Sequence, residues 1–176
     1  MHPTIILKNQ KGSVLLVSLM MLLVLTILAI SVMNLSTTSE KLTGNQRDQN
    51  IAFQAAESAL TDAEGWLKQQ VIPPTSTAAC NPAACPVFNL NGVSNLKTQN
   101  ASWWATYGTP YSGKIQQAKT QPRYVIEQYS FIPYDLNPQT RASGRGYYYY
   151  RVTAQGNGAT DNSKSVVQSI YSIQFN

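Results

Sequence analysis

The sequence predicts an α+β protein in which a long N-terminal helix packs on a C-terminal antiparallel sheet of about three or four strands. Three observations predict it. Residues 13–33 read SVLLVSLMMLLVLTILAISVM, an apolar run free of charge, Gly and Pro. Beyond it, Phe53, Ala56, Leu60, Ala63 and Leu67 recur at three- and four-residue steps, the spacing of one helical face. After residue 123, segments rich in β-branched and aromatic residues alternate with clusters of Gly, Pro, Asn and Asp.

The apolar run sets the first half of the helix. No charge occurs from Ser13 to Ser39. A helix of that composition spans about 30 Å, the hydrocarbon thickness of a bilayer. It satisfies every backbone polar group internally, as lipid requires. A buried helix of a soluble domain is the alternative, and it fails on length, because such helices rarely stay apolar on every face for so long. Lys8 and Lys11 precede the run, with Gly12 between them and the helix. A cleaved secretory signal has a shorter apolar core followed by a small-residue site, and neither is present here. Basic residues on the N-terminal flank hold that end in the cytoplasm, so the chain emerges on the periplasmic side. Cleavage after Gly12 would remove a hydrophilic leader, residues 1–12, and leave a hydrophobic helix at the new N-terminus. Residues 13–39 are then the transmembrane half and 40–70 the amphipathic half.

In the amphipathic half, Ala52, Ala55, Ala59 and Trp66 flank the stripe, while Arg47, Asp48, Glu57, Asp62, Glu64 and Lys68 take other positions. Gly44 costs about 1 kcal/mol relative to Ala, which predicts a kink or loosening there. Pro73 and Pro74 end the helix near residue 70. Glu40 and Lys41 read as a solvated pair where the chain meets water. A helix of this kind either bundles with copies of its own type and packs its second half on a sheet, or serves as a plain signal-anchor and stalk; an Ala-rich stripe suits close helix packing, although Ala is also a good helix former.

Residues 71–122 are turn-rich, with an Asn91–Gly92 turn signal and a short helix around Trp103 and Trp104 capped by Asn100 and closed by Gly108. Strands are predicted at residues 123–131, 147–155 and 165–175, within a sheet region 123–176. Tyr148, Tyr150, Val152 and Ala154 share one face of the second strand; Val167, Tyr171, Ile173 and Phe175 share one face of the third. Short links between consecutive strands favour antiparallel pairing.

The leader, Gly12 and helix together resemble the class III leader of type IV pilins and pseudopilins. Downstream, TGNQRDQNIAFQAAESALTDAE at residues 43–64 resembles the signature segment of the PilX family of minor pilins, through its GNxRDxxxAFQAAExAL core. The similarity covers roughly the first 67 residues, and the rest is pilin-like only in layout. The resemblance implies that prepilin peptidase cuts between Gly12 and Ser13 and methylates the new Ser13 amine. It also implies residence in the inner membrane before assembly, contacts with other minor pilins and the major pilin through the helix, and a surface αβ-loop at 71–122. Two positions depart from the major-pilin pattern, the first being Ser13 in place of the Phe that opens the mature chain. Those pilins carry Glu at the fifth mature residue, thought to neutralise the amine of the preceding subunit; this chain has Val17. An unpaired buried charge is expensive. A subunit that offers its own amine but no carboxylate suits a place with no subunit ahead of it, at the filament tip. Simple tolerance of an apolar residue in a low-copy subunit is the other reading.

Cys80 and Cys85, beyond an export anchor and in an oxidising compartment, most simply form one disulfide. Zinc would need more ligands than the sequence offers, since the single His, His2, lies in the leader, and redox motifs usually space their cysteines by two residues. No cofactor is expected. The formal charge of +5 falls to about +3 without Lys8 and Lys11, too mild for a nucleic-acid machine. Arg141, Arg145 and Arg151 near the tyrosine run give only weak support for contact with DNA or an anionic host surface. With no phosphate loop, catalytic serine motif or metal cluster, no enzyme is predicted. Glu127, Asp135 and Asp161 show no pairing by spacing. The leading function is a minor pilin of type IV pilus assembly, in a tip or priming complex. The alternatives are a pilus-borne adhesion or DNA-uptake subunit, a type II secretion pseudopilin, and a plain signal-anchored envelope protein.

Overall fold

A computed structural model of the chain describes residues 12–77, 87–89 and 95–175. The chain divides into two compact units between Gly44 and Asn45. Helix α1, Ser13–Lys68, begins in the first and ends in the second.

In the first unit, every described residue is exposed, including the apolar side chains from Val14 to Leu35. The helix is long and apolar enough to cross a membrane. Several of its hydroxyls are satisfied within the helix. Ser18 donates to the Leu15 carbonyl at 2.9 Å, Thr26 to Leu23 at 2.7 Å and Ser31 to Ile27 at 2.9 Å. Such back-bonding removes the cost of carrying Ser and Thr into lipid.

The second unit places the remainder of α1 on one face of a six-stranded sheet. The strands are β1 (Ser76–Thr77), β2 (Val87–Asn89), β3 (Thr109–Pro110), β4 (Arg123–Pro133), β5 (Gly146–Asn157) and β6 (Lys164–Phe175). Their order is β1-β2-β4-β5-β6, with β3 paired to β4. Long strands β4, β5 and β6 form the expected antiparallel meander. The sheet as a whole is mixed, because β1 and β2 run parallel to each other and β2 runs parallel to β4. The chain returns through the turn-rich segment to reach the meander edge, and pieces of two and three residues carry no periodicity by which to foresee that pairing. A register shift between Gln128 and Ser130 bulges β4 and leaves Tyr129 exposed.

Residues 71–122 are more than a surface loop. Helix α2, Ala101–Tyr107, begins as the sequence predicts: the Asn100 side chain accepts the Trp103 N–H at 2.8 Å, and Gly108 closes the helix. Trp104, Leu96, Phe88 and Val125 build a small core on the sheet face away from α1, with Trp103 and Tyr107 packed against it. The main core lies on the other face, where Ala59, Ala63 and Leu67 of α1 meet Tyr124, Ile126, Tyr150, Val152, Ala154 and Phe175. Tyr148, Val167, Tyr171 and Ile173 line its margin, on the strand faces that alternation assigns them. Between β4 and β5, where the sequence reads only as turns, a one-turn helix α3 (Pro138–Ala142) forms, with the Asn137 side chain accepting the Gln139 N–H at 3.0 Å and Pro138 in the first turn.

Candidate functional site

The signature segment becomes a set of fastenings in three dimensions. Its Ala residues supply the seat. Ala52, Ala55, Ala56, Ala59, Ala63 and Leu67 are fully buried. The helix face they form is therefore shifted from the stripe of Phe53, Ala56, Leu60, Ala63 and Leu67. Phe53 is 48 % exposed, a correction to the sequence reading, whereas Leu60 is half-buried and packs against the main core. The reason lies on the opposing strand. A Cβ at Gly156 of β5 would come under 3.0 Å from the Ala52 carbonyl oxygen and the Ala56 nitrogen. At that separation only Ala faces Gly, and a Phe ring has to turn outward.

Three acidic residues of the helix hold two loops and strand β6. Asp48 accepts N–H bonds from Ala159 at 2.5 Å and Thr160 at 3.2 Å, and the Thr160 hydroxyl donates to its other oxygen. Gln49 Nε2 donates to the Lys164 carbonyl at 3.4 Å. Asp62 takes both the backbone N–H and the hydroxyl of Ser112, at 2.9 and 2.7 Å. Glu64 accepts from the Ser169 hydroxyl at 2.6 Å. The Thr160 hydroxyl, then Ser163, hold the Asp48 carboxyl below its ordinary 3.8, against a smaller opposing effect of burial. A depressed folded value stabilises above the ordinary one and ceases to do so as pH falls through the folded value. We expect amide protection at Ala159 and Thr160 to fall on acidification below about 4, and Asp48→Ala to show the same loss at neutral pH. Hydrogen exchange followed by NMR measures both; unchanged protection in the variant removes the fastening.

Carboxylates that spacing left single are paired by the fold. Glu127 is fully buried and takes both Arg151 Nε at 2.8 Å and Arg151 Nη2 at 2.9 Å. That carboxylate holds the Arg151 guanidinium above its usual value. Asp161 pairs with Lys119. With Arg151 committed to Glu127, Arg141 and Arg145 remain as exposed arginines in or beside α3. Tyr150 is fully buried, which pushes its phenol up, and burial with a smaller push from Asp62 raises Tyr124 to about 12. Both stay neutral packing residues.

At the start of α1, Gly12 has φ +113° and is exposed beside Ser13. An L side chain is strained in that conformation, so glycine suits the position. Val17 is exposed on an apolar helix surface shared with Met20, Met21, Val24 and Leu25. Cys80, Cys85 and the Asn91–Gly92 turn lie outside the described residues.

An N-terminal helix with an apolar portion long enough to cross a membrane, continued by a portion that packs on a sheet, is the architecture of a pilin-type filament subunit. Comparison with known families agrees over most of the chain. Residues 11–61 match the PilX N-terminal model, and residues 75–173 match that of the type IV pilus assembly protein PilX C-terminal region. The chain belongs to the PilX family of type IV pilus minor pilins. Its partners are accordingly other components of pilus assembly. No curated protein and no solved structure matches it.

Proposed function

We propose that the protein is a structural, non-catalytic minor pilin that acts at the pilus tip or in the complex that primes assembly. Val17 carries this reading. It sits among apolar neighbours on a helix that would bundle with other pilin helices, and it lacks the carboxylate with which a following subunit neutralises the amine ahead of it. A subunit entering behind another would bury that amine unpaired, at a cost of about 3–5 kcal/mol. A subunit at the head meets no such amine, and its own Ser13 amine serves the next arrival. Before assembly the helix rests in inner-membrane lipid with the sheet domain in the periplasm; afterwards the subunit is displayed on the pilus. Prepilin peptidase acts at Gly12–Ser13, where an exposed glycine with positive φ precedes the helix. Cys80 and Cys85 form a disulfide within the 71–122 region.

Site-specific crosslinking in sheared pili tests the placement: crosslinks concentrated at filament ends are expected, and crosslinks mostly along the shaft overturn it. Val17→Glu is expected to spread the subunit into the shaft. Mass spectrometry of the mature chain should show an N-methylated Ser13 as first residue; a retained leader removes the processing step. A pilus-borne binding subunit is the competing role, favoured by the exposed Tyr129, Ile132, Tyr134 and Tyr147. Deletion distinguishes the two, because an assembly subunit lowers filament number whereas a binding subunit leaves intact filaments that no longer adhere.

A further inference from the structure

At one end of the sheet lies the long strand β6, which among the described residues pairs with β5 alone, in an unbroken register from Lys164 to Phe175. Its first carbonyl, that of Lys164, is taken by Gln49 of α1. From Ser165 to Ile173 it reads SVVQSIYSI, without charge, Gly, Pro or bulge. Proteins ordinarily guard an edge with those devices, because its unpaired N–H and C=O groups are a template for another strand. About 30 Å of edge is open here, with roughly four outward N–H groups and as many carbonyls. The core is also unfinished along this edge. Val167, Tyr171 and Ile173 point toward α1 yet are only half-buried at the margin of the main core. On the helix, Phe53 follows Gln49 by four residues and precedes Leu60 by seven and Glu64 by eleven, so all four share one flank. Gln49 and Glu64 bond to Lys164 and Ser169, which sets that flank over β6. The exposed Phe53 therefore overhangs the open edge, and Ile170 is exposed on the other face of the same strand.

We propose that this edge, roofed by Phe53, accepts an extended, uncharged segment of another pilus subunit as a further strand running parallel to β6. Such a strand would pair the open backbone groups and cover Phe53, Val167 and Ile170 in one step. Charge supports an uncharged donor, since Ser165–Phe175 offers none to match. Direction selects its source. Strand β6 runs parallel to β4, and hence to β2 and β1. The segment between α1 and β4 thus already yields short pieces that join the sheet in that direction. The corresponding segment of a like-folded neighbour, its helix aligned with α1, would reach β6 in the same sense. The edge also continues the helix surface on which pilin helices would bundle, because α1 and β6 advance together from Gln49 and Lys164 to Glu64 and Ser169. A second copy of this chain fits less well. Two copies joined through β6 about a two-fold axis pair antiparallel, which sets their helix portions beyond Asn45 running opposite ways. Subunits leaving one membrane are not arranged so. The proposal is independent of whether the subunit sits at the tip or in the shaft.

Photocrosslinking of the full chain in pilus-producing cells tests the edge. Benzoylphenylalanine is placed in turn at Gln168, Ile170 and Ser172, three exposed positions on one face of β6, and the crosslinked peptides are mapped by mass spectrometry. One segment of one other pilus subunit is expected, with the crosslinked position moving toward its C-terminus by about two residues at each step, as a parallel strand requires. Phe53→Ser removes the apolar roof, and Ser172→Lys puts a charge on the edge. Each should lower the crosslink yield at Gln168 about tenfold while the melting temperature stays within a few degrees of the parent's. Both positions are exposed, and either variant alone suffices should the other unfold. A ladder moving the opposite way along β6 of a second copy identifies pairing between copies and overturns the proposal. Crosslinks scattered without order, crosslinks to a protein outside the pilus machinery, no crosslink at all, or full yield in both folded variants overturn it as well.

Discussion

Gly156→Ala is expected to destabilise the sheet domain by about 3 kcal/mol, near the top of the range for overpacking. The added methyl would press on the backbone of α1, at Ala52 and Ala56, with the Ala55 carbonyl carbon 3.0 Å away. A flexible side chain can swing aside from a methyl; a hydrogen-bonded helix turn moves only as a unit. The helix would have to lift from β5 along the Ala52–Ala56 face, loosening the core below it at Ala59, Ala63 and Tyr150. A fall in melting temperature of about 10 °C corresponds to that loss. Gly65→Ala provides the control. Gly65 is an exposed residue of the same helix with nothing within 4 Å of its would-be Cβ, so alanine there should stabilise by up to about 1 kcal/mol. The same chemical change thus acts with opposite signs at two glycines. Circular dichroism melts of both variants in detergent decide it, and a Gly156→Ala protein that melts like the parent would show that the helix does not rest there.

What the sequence reveals follows from the range of the forces involved. Helix α1 is legible because its apolar run and its proline stop are local features, and α2 because Asn100 and Gly108 cap it within a few residues. The inward faces of β5 and β6 are legible because alternation is a local rule. Phe53 misleads, since periodicity identifies a helical face only to within the width of its apolar sector. Which edge of that sector is buried was decided by Gly156, a residue about a hundred positions away that composition marks merely as a turn. Ala52, Ala55 and Ala59 look like fillers beside Phe53 and Leu60, yet their smallness is what close approach to a strand demands. The fastening role of Asp48 likewise depends on a loop supplied by the β5–β6 connection. Parallel pairing of β1 and β2 rests on segments too short to show a pattern, the partner of Glu127 exists only once register is set, and Asp161 meets Lys119 only when two distant loops come together.

Arg151→Met is expected to cost about 3–5 kcal/mol, more than most single changes in the domain. Register places Arg151 of β5 opposite Glu127 of β4, while Phe88 of β2 lies opposite Glu127 on the other side. Glu127 has no exposed surface, and both of its carboxylate oxygens are bonded to the one guanidinium, whose side chain keeps 27 % of its surface in water. Removing the arginine leaves a buried carboxylate with no counter-charge, whereas removing both charges leaves only apolar groups to pack. The double variant Glu127→Met/Arg151→Met should therefore be much more stable than Arg151→Met alone, and close to the parent if the methionines fill the space. A double-mutant cycle measured by denaturant unfolding separates the coupling from the packing change. Should Arg151→Met and the double variant prove equally unstable, the arginine would matter for the packing of its aliphatic stem, and the charge pair would contribute nothing of its own.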